Sequence, residues 1–487
     1  MSRFSCRRVW RADVRALADR FSSFIARRGA AVLLIIGLWA IAAFPNLPVR
    51  SFIWEEGTNA EIARDILSNG NLLEPQVYGV RWNEKPSLLP WLIAGVAKVT
   101  DEVNEFSARL PAMIAVVMTA LLVHALTRRY ASGEASLLAA LFFMFSPMLL
   151  QKLAIAEPDT LVTMLSFAAF VLWWNGVEAG RVGFGRWMTC GLLLAVLAMA
   201  KGPQPAGYFA LGVFAYIVVT RRWRDMPGLF VCLMLPAAAT VAWAAAVYQP
   251  GDETTWASYA RLHSAPRLAD YLARNTSVLL NLTVELLPSI LLVPVLAWHA
   301  WKKQDTSIPS VALPLALYAG CCTLAVLFWP GSNSRYAMPC VPALAVLAGF
   351  AWDAMAGTAY ARLRSVTGVA ICALAAFQIA LANVVMPLFA DRFGASRIAG
   401  QAIGRTIKAD PAPAFCTDLA TNQLFYARVP IKCIDPANLA AVTAPAWLIV
   451  SRDQMPLLAQ LKPGLVARTV IETESGSRLS AIRLSSP

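Results

Sequence analysis

A polar stretch between two long apolar runs decides how this chain folds. It spans residues 54–109 and reads WEEGTNAEIARDILSNGNLLEPQVYGVRWNEKPSLLPWLIAGVAKVTDEVNEFSAR. Glu55 and Glu56 open it directly after a first hydrophobic segment, and Lys85 follows in the same loop. Ionisable side chains are costly near lipid and mark functional sites there. Acids and a base at a membrane boundary predict chemistry on an anionic, lipid-linked substrate.

The composition is that of a membrane protein. The 487 residues are 58% hydrophobic and 15% charged, whereas soluble domains carry about 25% charged residues. The net charge of +13 could indicate nucleic acid, but eight arginines fall in the first 28 residues, and the other cationic clusters lie between apolar runs. That distribution follows the positive-inside rule. No nucleic-acid-binding motif accompanies it, so we expect membrane lipid and no nucleic acid as a partner.

Hydrophobic runs of suitable length predict a mainly α, polytopic membrane helix bundle with about 11 transmembrane helices. A spanning helix needs about 20 apolar residues, and the fifth and sixth runs are short. The predicted spans are 30–48, 108–127, 135–155, 160–176, 187–200, 205–220, 227–248, 275–300, 309–329, 336–355 and 366–387.

Loop charges predict the orientation. Basic residues cluster in the tail 1–29 and in the loops near 129, 181, 222, 302 and 363, so that side is expected to be cytoplasmic. The loop 49–107 then faces outward and is expected to form amphipathic helices lying along the outer membrane surface, with Ile62 and Ile66 spaced i, i+4 on one apolar face. An odd number of spans places 390–487 outside as well. We predict an inner-membrane protein with a cytoplasmic tail 1–29, a transmembrane domain 30–389 and a periplasmic domain 390–487. The long basic lead and ten further spans favour an uncleaved anchor over a signal peptide.

The composition changes after residue 390, where a small α/β domain is predicted. The expected strands are Ala414–Thr417, Leu424–Ala427, Pro430–Ile434, Trp447–Ser451 and Leu465–Ile471, and the expected helices are Ser396–Ala409 and Asp453–Leu461. Only Cys416 and Cys433 of the nine cysteines lie in this exported part. An oxidising compartment makes them a candidate disulfide.

Six short motifs occur in order between residues 30 and 350. They are Glu55-Glu56-x-x-x-Ala60-Glu61-Ile62-Ala63, Glu84-Lys85-Pro86 with Leu89-Pro90-Trp91-Leu92, Glu105-Phe106-x-Ala108-Arg109-Leu110-Pro111, Ala156-Glu157-Pro158-Asp159-Thr160-Leu161, Lys201-Gly202-Pro203, and Arg335-Tyr336-x-x-Pro339-x-x-Pro342. This series resembles the polyprenyl-phosphate-sugar glycosyltransferases of the GT-C superfamily, which include lipid A aminoarabinose transferases and protein O-mannosyltransferases. The tail after 390 carries none of these motifs.

The resemblance implies a membrane glycosyltransferase with a polyprenyl-phosphate sugar as donor. It implies transfer with inversion at the outer face of the cytoplasmic membrane, onto lipid A, another glycan or a protein. One position departs from the family, which usually has Asp where this chain has Glu55. The extra methylene shifts the carboxylate by about one C–C bond length. Either Glu55 or Glu56 could therefore be the base.

The residues support the same chemistry. An acceptor hydroxyl must lose a proton as it attacks the anomeric carbon, and a carboxylate within hydrogen-bond reach can take it. The departing lipid phosphate gains charge, which cationic donors stabilise. Lys85, Arg335 with the neighbouring Tyr336, and Lys201 are the candidates for that role. Asp159, at the start of the fourth span, could orient the acceptor or cap the helix.

Other roles for the same residues remain open. Glu55 and Glu56 could form a solvated first helical turn, Lys85 could reach toward lipid headgroups, and Arg335-Tyr336 could be an interfacial anchor. Lys201-Gly202-Pro203 could be a plain turn. His263 and Glu84 could hold a divalent metal ion, although two protein ligands are fewer than such sites usually have. At the level of function, the alternatives are a transporter or flippase for a lipid-linked sugar and an inactive scaffold.

Overall fold

The structure is a computed structural model. It describes residues 28–45, 47–150, 152–249, 268–303, 308–329, 333–356, 359–417, 420–451, 454, 456, 466–472 and 479–485. Most of these residues are helical. The longer helices are α1 Arg28–Ala43, α2 Glu56–Asn69, α3 Leu88–Thr100, α4 Glu105–Arg128, α5 Gly133–Met144, α6 Asp159–Glu178, α7 Phe184–Lys201, α8 Gln204–Thr220, α9 Met226–Val247, α10 Leu268–Glu285, α11 Ser289–Lys303, α12 Ala312–Phe328, α13 Val341–Ala354, α14 Ala361–Ala380 and α15 Ala395–Ala409.

Short helical segments connect or extend the longer ones. They are Pro147–Leu150, Trp223–Asp225, Ser334–Cys340, Leu381–Val385, Met386–Leu388, Ala390–Phe393, Thr421–Leu424 and Pro436–Ala441. Local sequence explains several boundaries. Asn104 caps α4 by accepting hydrogen bonds from the backbone of Phe106 and Ser107, and Ser132 caps α5, as short polar side chains do at helix starts.

Within the described residues, six helices are long and apolar enough to cross a membrane, or seven if α10 and α11 form one span. The predicted number of about 11 is not confirmed. Four predicted spans coincide with shorter apolar helices, namely α1 with 16 residues, α5 with 12, and α8 and α12 with 17 each. A 12-residue helix rises only about 18 Å, less than the apolar thickness of a bilayer.

Two predicted spans differ in shape from the continuous helices expected. In the third, 135–155, the long helix ends at Met144, and Lys152 lies in a turn after it. The eighth, 275–300, is broken: α10 and α11 meet at an angle of 85° around residues 286–288. Proline at 288 supplies no backbone donor for a continuous helix, which favours a break at this place.

The loop 49–107 contains α2, a hairpin of strands β1 Gln76–Val77 and β2 Val80–Arg81, and α3. Helix α2 has the predicted apolar face, with Ile62 and Ile66 both buried. We expected this face to lie on the membrane surface, but it packs in a protein core that includes Ile403 of α15 and Trp447.

The residues after 390 form α15 and a five-stranded sheet in the order β4-β3-β5-β7-β6. The strands are β3 Ala414–Cys416, β4 Lys432–Cys433, β5 Ala446–Ser451, β6 Val466–Glu472 and β7 Leu479–Ser485. Strands β4, β3 and β5 are parallel, and β7 pairs antiparallel with β5 and β6.

The prediction of a strand at Leu424–Ala427 was wrong, since Thr421–Leu424 is helical and a turn follows. The predicted helix Asp453–Leu461 lies almost wholly outside the described residues. The predicted disulfide is confirmed: Cys416 and Cys433 are partners on neighbouring strands, with Cα atoms 4.3 Å apart.

Side chains of the sheet alternate between two cores, as the strand geometry requires. Trp447 and Ile449 of β5 point into the core shared with α2 and α3, whereas Leu448 and Val450 belong to a small core on the other face. The tail therefore shares its principal core with the loop that carries Glu55. A third and much larger core lies within the helix bundle.

Candidate active site

Glu55 immediately precedes α2 and lies between two cations. Lys85 forms an ion pair with its Oε2, and Arg335 Nη2 lies 3.2 Å from its Oε1. Burial by itself would raise the pKa of Glu55, but Lys85 and Arg335 outweigh that effect and hold the pKa below its ordinary value. The side chain is 37% exposed. Glu55 is therefore an ionised carboxylate that a ligand can reach.

A second pair of carboxylates follows Ala156 in the chain. Asp159, the first residue of α6, forms an ion pair with Lys201. Glu157 forms an ion pair with Lys152, and its Oε1 lies 3.6 Å from Arg335 Nη1. Arg335 therefore joins the Glu55 pair to the Glu157 pair. Pro158 occupies the helix-capping position, so Asp159 does not act as the cap.

Aromatic rings lie against two of these cations. Lys201 Nζ is 4.3 Å from the centroid of the Tyr336 ring, and Lys152 Nζ is 4.3 Å from that of Trp54. Such contacts between an ammonium group and a ring face are attractive. Trp54 has a φ of +51°, a left-handed backbone conformation that residues other than glycine rarely adopt. Strained backbone of this kind occurs often at functional sites.

The structure thus brings together most of the predicted site residues. Glu55, Lys85, Arg335, Tyr336, Asp159 and Lys201 belong to one connected set of contacts. They come from α2, the loop before α3, the start of α6, the end of α7 and the segment Ser334–Cys340. Lys201 is the last residue of α7, and Gly202 after it has a φ of +85°. Lys201-Gly202-Pro203 therefore forms the predicted turn as well as supplying the ion pair.

Glu56 has a different environment from Glu55. Its side chain is 0% exposed and forms a bidentate ion pair with Arg109, whose Nε and Nη2 lie 2.7 and 2.9 Å from the carboxylate oxygens. The backbone N–H of Ala156 donates to the same carboxylate. Burial would raise the pKa of Glu56, but Arg109 and then Arg50 hold it below the ordinary value. All these contacts make Glu56 an anchor between the loop and the bundle.

Of the two metal-binding candidates, only Glu84 lies within the described residues. His263 lies outside the described residues. Burial raises the pKa of Glu84, although the adjacent Lys85 opposes the shift. In the part of the chain that the structure describes, no group of three or more His, Cys, Asp or Glu side chains is placed to hold a metal ion. The possible divalent ion stays a prediction.

The sequence did not single out Lys152 and Glu157 as site residues. Lys152 falls within the third predicted span, and Glu157 appears in the sequence only as part of a motif. A lysine inside an apolar run was the available signal, because a lone charge in a span is costly unless it is paired. Burial raises the pKa of Glu157 although the adjacent Lys152 opposes the shift.

Sequence comparisons identify related proteins. Residues 84–245 match the family model described as dolichyl-phosphate-mannose-protein mannosyltransferase. An undecaprenyl phosphate-alpha-4-amino-4-deoxy-L-arabinose arabinosyl transferase of Enterobacter sp. (strain 638) is 26% identical over 330 residues, which cover 65% of this chain and 58% of that protein. The protein of the same name from Pseudomonas aeruginosa PAO1 is 27% identical over 338 residues, covering 67% and 60%. The matches thus span less than two thirds of these relatives' length.

Solved structures show the same fold. ArnT from Cupriavidus metallidurans, in a crystal structure bound to undecaprenyl phosphate, superposes with a TM-score of 0.70 at 17% identity, covering 94% of this chain and 98% of that one. The Archaeoglobus fulgidus oligosaccharyltransferase gives a TM-score of 0.54 at 12% identity, covering 93% and 73%. The family model and the sequence relatives confirm the resemblance noted in the sequence. The solved structures confirm a multi-pass membrane fold of the ArnT type. The relatives found by sequence carry the names of transferases, so the comparisons do not favour the transporter alternative.

Proposed function

We propose that this relative of the GT-C polyprenyl-phosphate-sugar glycosyltransferases moves a sugar from a polyprenyl-phosphate donor to an acceptor hydroxyl. One observation carries the proposal: Glu55, a reachable carboxylate, is held between Lys85 and Arg335. A general base and two phosphate-binding cations are the groups that such a transfer requires at one point.

The transfer is a displacement at the anomeric carbon. The acceptor hydroxyl gives its proton to the Glu55 carboxylate, and its oxygen bonds to the anomeric carbon. The bond from that carbon to the phosphate oxygen breaks, and the polyprenyl phosphate leaves with the electron pair. Lys85 and Arg335 stabilise the charge that develops on the leaving phosphate. Attack opposite to the leaving group inverts the configuration at carbon.

The ion pairs around Glu55 link donor binding to its basicity. Without donor, Lys85 and Arg335 keep the pKa of Glu55 below its ordinary value, which makes the carboxylate a weak base. A donor phosphate competes for the same two cations. Partial release of these cations raises the proton affinity of Glu55, because a nearby positive charge favours the ionised form. The base therefore becomes more effective when the donor is in place.

The remaining predicted residues support this centre. Lys201, held against Asp159 and the Tyr336 ring, is proposed as a further phosphate contact. Asp159 is proposed to orient the acceptor. Glu56 is proposed as a structural anchor rather than the base, because both of its oxygens are already bonded in the protein interior.

We place the reaction at the periplasmic face of the inner membrane, with about 11 spanning segments, a cytoplasmic tail 1–29 and the residues from 390 outside. The support is the distribution of basic loops. The donor sugar is proposed to resemble that named for the relatives, a 4-amino-4-deoxy-arabinose on undecaprenyl phosphate. The acceptor is proposed to be lipid A, another glycan or a protein side chain.

The proposal is tested with the purified full-length protein in nanodiscs. We expect it to bind undecaprenyl phosphate and to release that lipid from undecaprenyl phosphate-aminoarabinose when lipid A is added. Glu55→Gln keeps the shape of the side chain and removes the proton acceptor, so transfer should fall by about 10²–10⁴-fold while donor binding persists.

Glu134→Gln is the matched control for that variant. Glu134 is a partly exposed carboxylate with an arginine partner, Arg364, and it lies on the predicted cytoplasmic side. The Glu134→Gln variant should transfer sugar at the wild-type rate. Full activity of Glu55→Gln would overturn the base assignment, and a wild-type protein that binds no polyprenyl phosphate would overturn the donor class.

A further inference from the structure

The corner between α10 and α11 lies beside the proposed active site. Helix α10 ends at Glu285, and α11 begins at Ser289 after the 85° bend. The hydroxyl of Ser334 donates to Glu285 Oε1 at 3.0 Å. Ser334 immediately precedes Arg335, and the charge of Lys152 also acts on Glu285. Glu285 therefore joins the same group of charges as Glu55 and Glu157.

Several polar atoms here are buried without a hydrogen bond to any of the described residues. They are Glu285 Oε2, Glu157 Oε1, Arg335 Nε and Ser289 Oγ. Glu157 Oε1 is an ion-pair neighbour of Arg335 Nη1 at 3.6 Å, which is beyond hydrogen-bonding distance. Buried polar groups are normally bonded, and each exception calls for an explanation. Three of these atoms belong to the connected group of charges, and Ser289 begins α11 at the same corner. Together they indicate a place for a polar ligand.

The character of these atoms restricts the ligand. Two of them are carboxylate oxygens, which accept hydrogen bonds and repel a phosphate. A lipid chain has no hydrogen-bond donor for these oxygens. A sugar supplies hydroxyl or ammonium donors to the carboxylates and ring or hydroxyl oxygens to Arg335 and Ser289. Because Arg335 contacts both Glu55 and Glu157, a phosphate held by Arg335 places its attached sugar toward this corner.

We propose that the corner is the sugar subsite of the donor, with Glu285 and Glu157 accepting hydrogen bonds from hydroxyl or ammonium groups of the sugar. The proposal rests on the proposed function, since it assumes a polyprenyl-phosphate sugar. It adds that the sugar is recognised by buried carboxylates, separately from the phosphate contacts of Lys85 and Arg335.

The test compares the binding of bare and sugar-bearing polyprenyl phosphates to the full-length protein in nanodiscs. Binding is measured for bare undecaprenyl phosphate, for undecaprenyl phosphate-aminoarabinose and for a polyprenyl phosphate carrying a neutral hexose. For Glu285→Gln we expect about a 10-fold or larger loss of affinity for at least one sugar-bearing lipid, the scale of one charge-assisted hydrogen bond. Affinity for bare undecaprenyl phosphate should not change. A loss confined to the aminoarabinose lipid assigns the contact to the ammonium group, and a similar loss for both sugars assigns it to hydroxyl groups.

Two results would overturn the subsite. One is an equal loss for bare and sugar-bearing lipids, and the other is no loss for either sugar. If wild-type protein binds bare undecaprenyl phosphate but neither sugar lipid, the subsite also fails. If it binds none of the three lipids, the proposed function itself fails. Glu285→Asp keeps the charge but shortens the side chain, and it replaces Glu285→Gln if that variant does not fold. Glu134→Gln again serves as the control.

Discussion

Two adjacent glutamates in this chain have opposite environments. Glu55 is the non-helical residue before α2, and Glu56 is the first residue of the helix, so their side chains face different neighbours. Glu56 pairs with the buried Arg109, whereas Glu55 lies between two cations and remains partly exposed. From residue type alone, both are candidates for the base. Their partners distinguish a fully buried carboxylate from an accessible one, and the accessible Glu55 is the proposed base.

We predict that Glu56→Gln destabilises the protein. The substitution leaves the Arg109 guanidinium, which is 1% exposed, without its counter-charge. Breaking a buried ion pair from one side costs about 3–5 kcal/mol. Thermal unfolding of the purified protein in detergent should therefore occur at a clearly lower temperature. Glu55→Gln serves as the comparison and should unfold close to the wild type. Equal unfolding temperatures for Glu56→Gln and the wild type would contradict the anchor role.

A second prediction concerns the pH dependence of transfer. Glu55 must be ionised to accept a proton, so the rate falls as the pH drops through its pKa. Lys85 and Arg335 hold that pKa below its ordinary value, which places the acidic limb of kcat/KM below the pH at which an ordinary glutamate titrates. Lys85→Gln removes the closer cation and should move this limb to higher pH, whatever its effect on the absolute rate.

The position of the acidic limb is read from the full pH–rate profile of each variant. Lys98→Gln is a suitable control, because Lys98 lies in the last turn of α3 and has no place in the proposed site. An acidic limb that stays in place in Lys85→Gln would show that Glu55 is not the titrating base.

At the scale of elements, a short helix of the tail holds the start of α2. Asn422 of the segment Thr421–Leu424 accepts from the Gly57 backbone N–H and donates to the Trp54 carbonyl, both at 2.9 Å. A Cβ added at Gly57 would lie 2.7 Å from the Asn422 backbone nitrogen, so the two segments pack directly against each other. Trp54 and Gly57 flank the Glu55-Glu56 pair. The tail thus fixes the backbone on which the proposed base stands.

We predict that Asn422→Ala lowers kcat by about 10- to 100-fold, the usual effect of displacing a reacting group by about 1 Å. The KM for donor should change little, because Lys85 and Arg335 lie on other segments. Asn422→Asp retains the acceptor for Gly57 and should recover part of the rate. The matched control is Asn438→Ala, an exposed asparagine of the same tail. Equal losses of kcat and of folded protein would indicate a structural role alone.

At the scale of the whole molecule, the tail and the loop form one packed unit. Their shared core combines Phe52 and Ile62 of the loop with Ile403 and Trp447 of the tail. Polar contacts reinforce it: Tyr426 donates to Glu105 at 2.9 Å, and the backbone N–H of Phe52 donates to Tyr426 at 2.9 Å. Arg397 adds an ion pair with Glu105. Removal of the tail would expose this core, so the residues after 390 are part of the support of the site.

The sequence by itself determined the features that depend on local pattern. Hydropathy located the helices of the bundle, except that the predicted spans 135–155 and 275–300 are each interrupted. Strand patterning located β3 and β5. The pair Cys416–Cys433 followed from the few cysteines available outside the spans. The motif series supplied six of the residues that meet at the site. All of these are properties of short windows, where periodicity and residue type are sufficient signals.

Only the tertiary structure decided which groups pair. Glu55 and Arg335 are 280 positions apart, and Asn422 is 365 positions from Gly57. No local pattern encodes such contacts. Hydropathy alone likewise missed the break between α10 and α11 and the turn that contains Lys152, because a hydrophobic run does not show where a helix stops. Burial and ion pairing fix the role of each carboxylate, and both depend on residues that are distant in the chain and adjacent only in the fold.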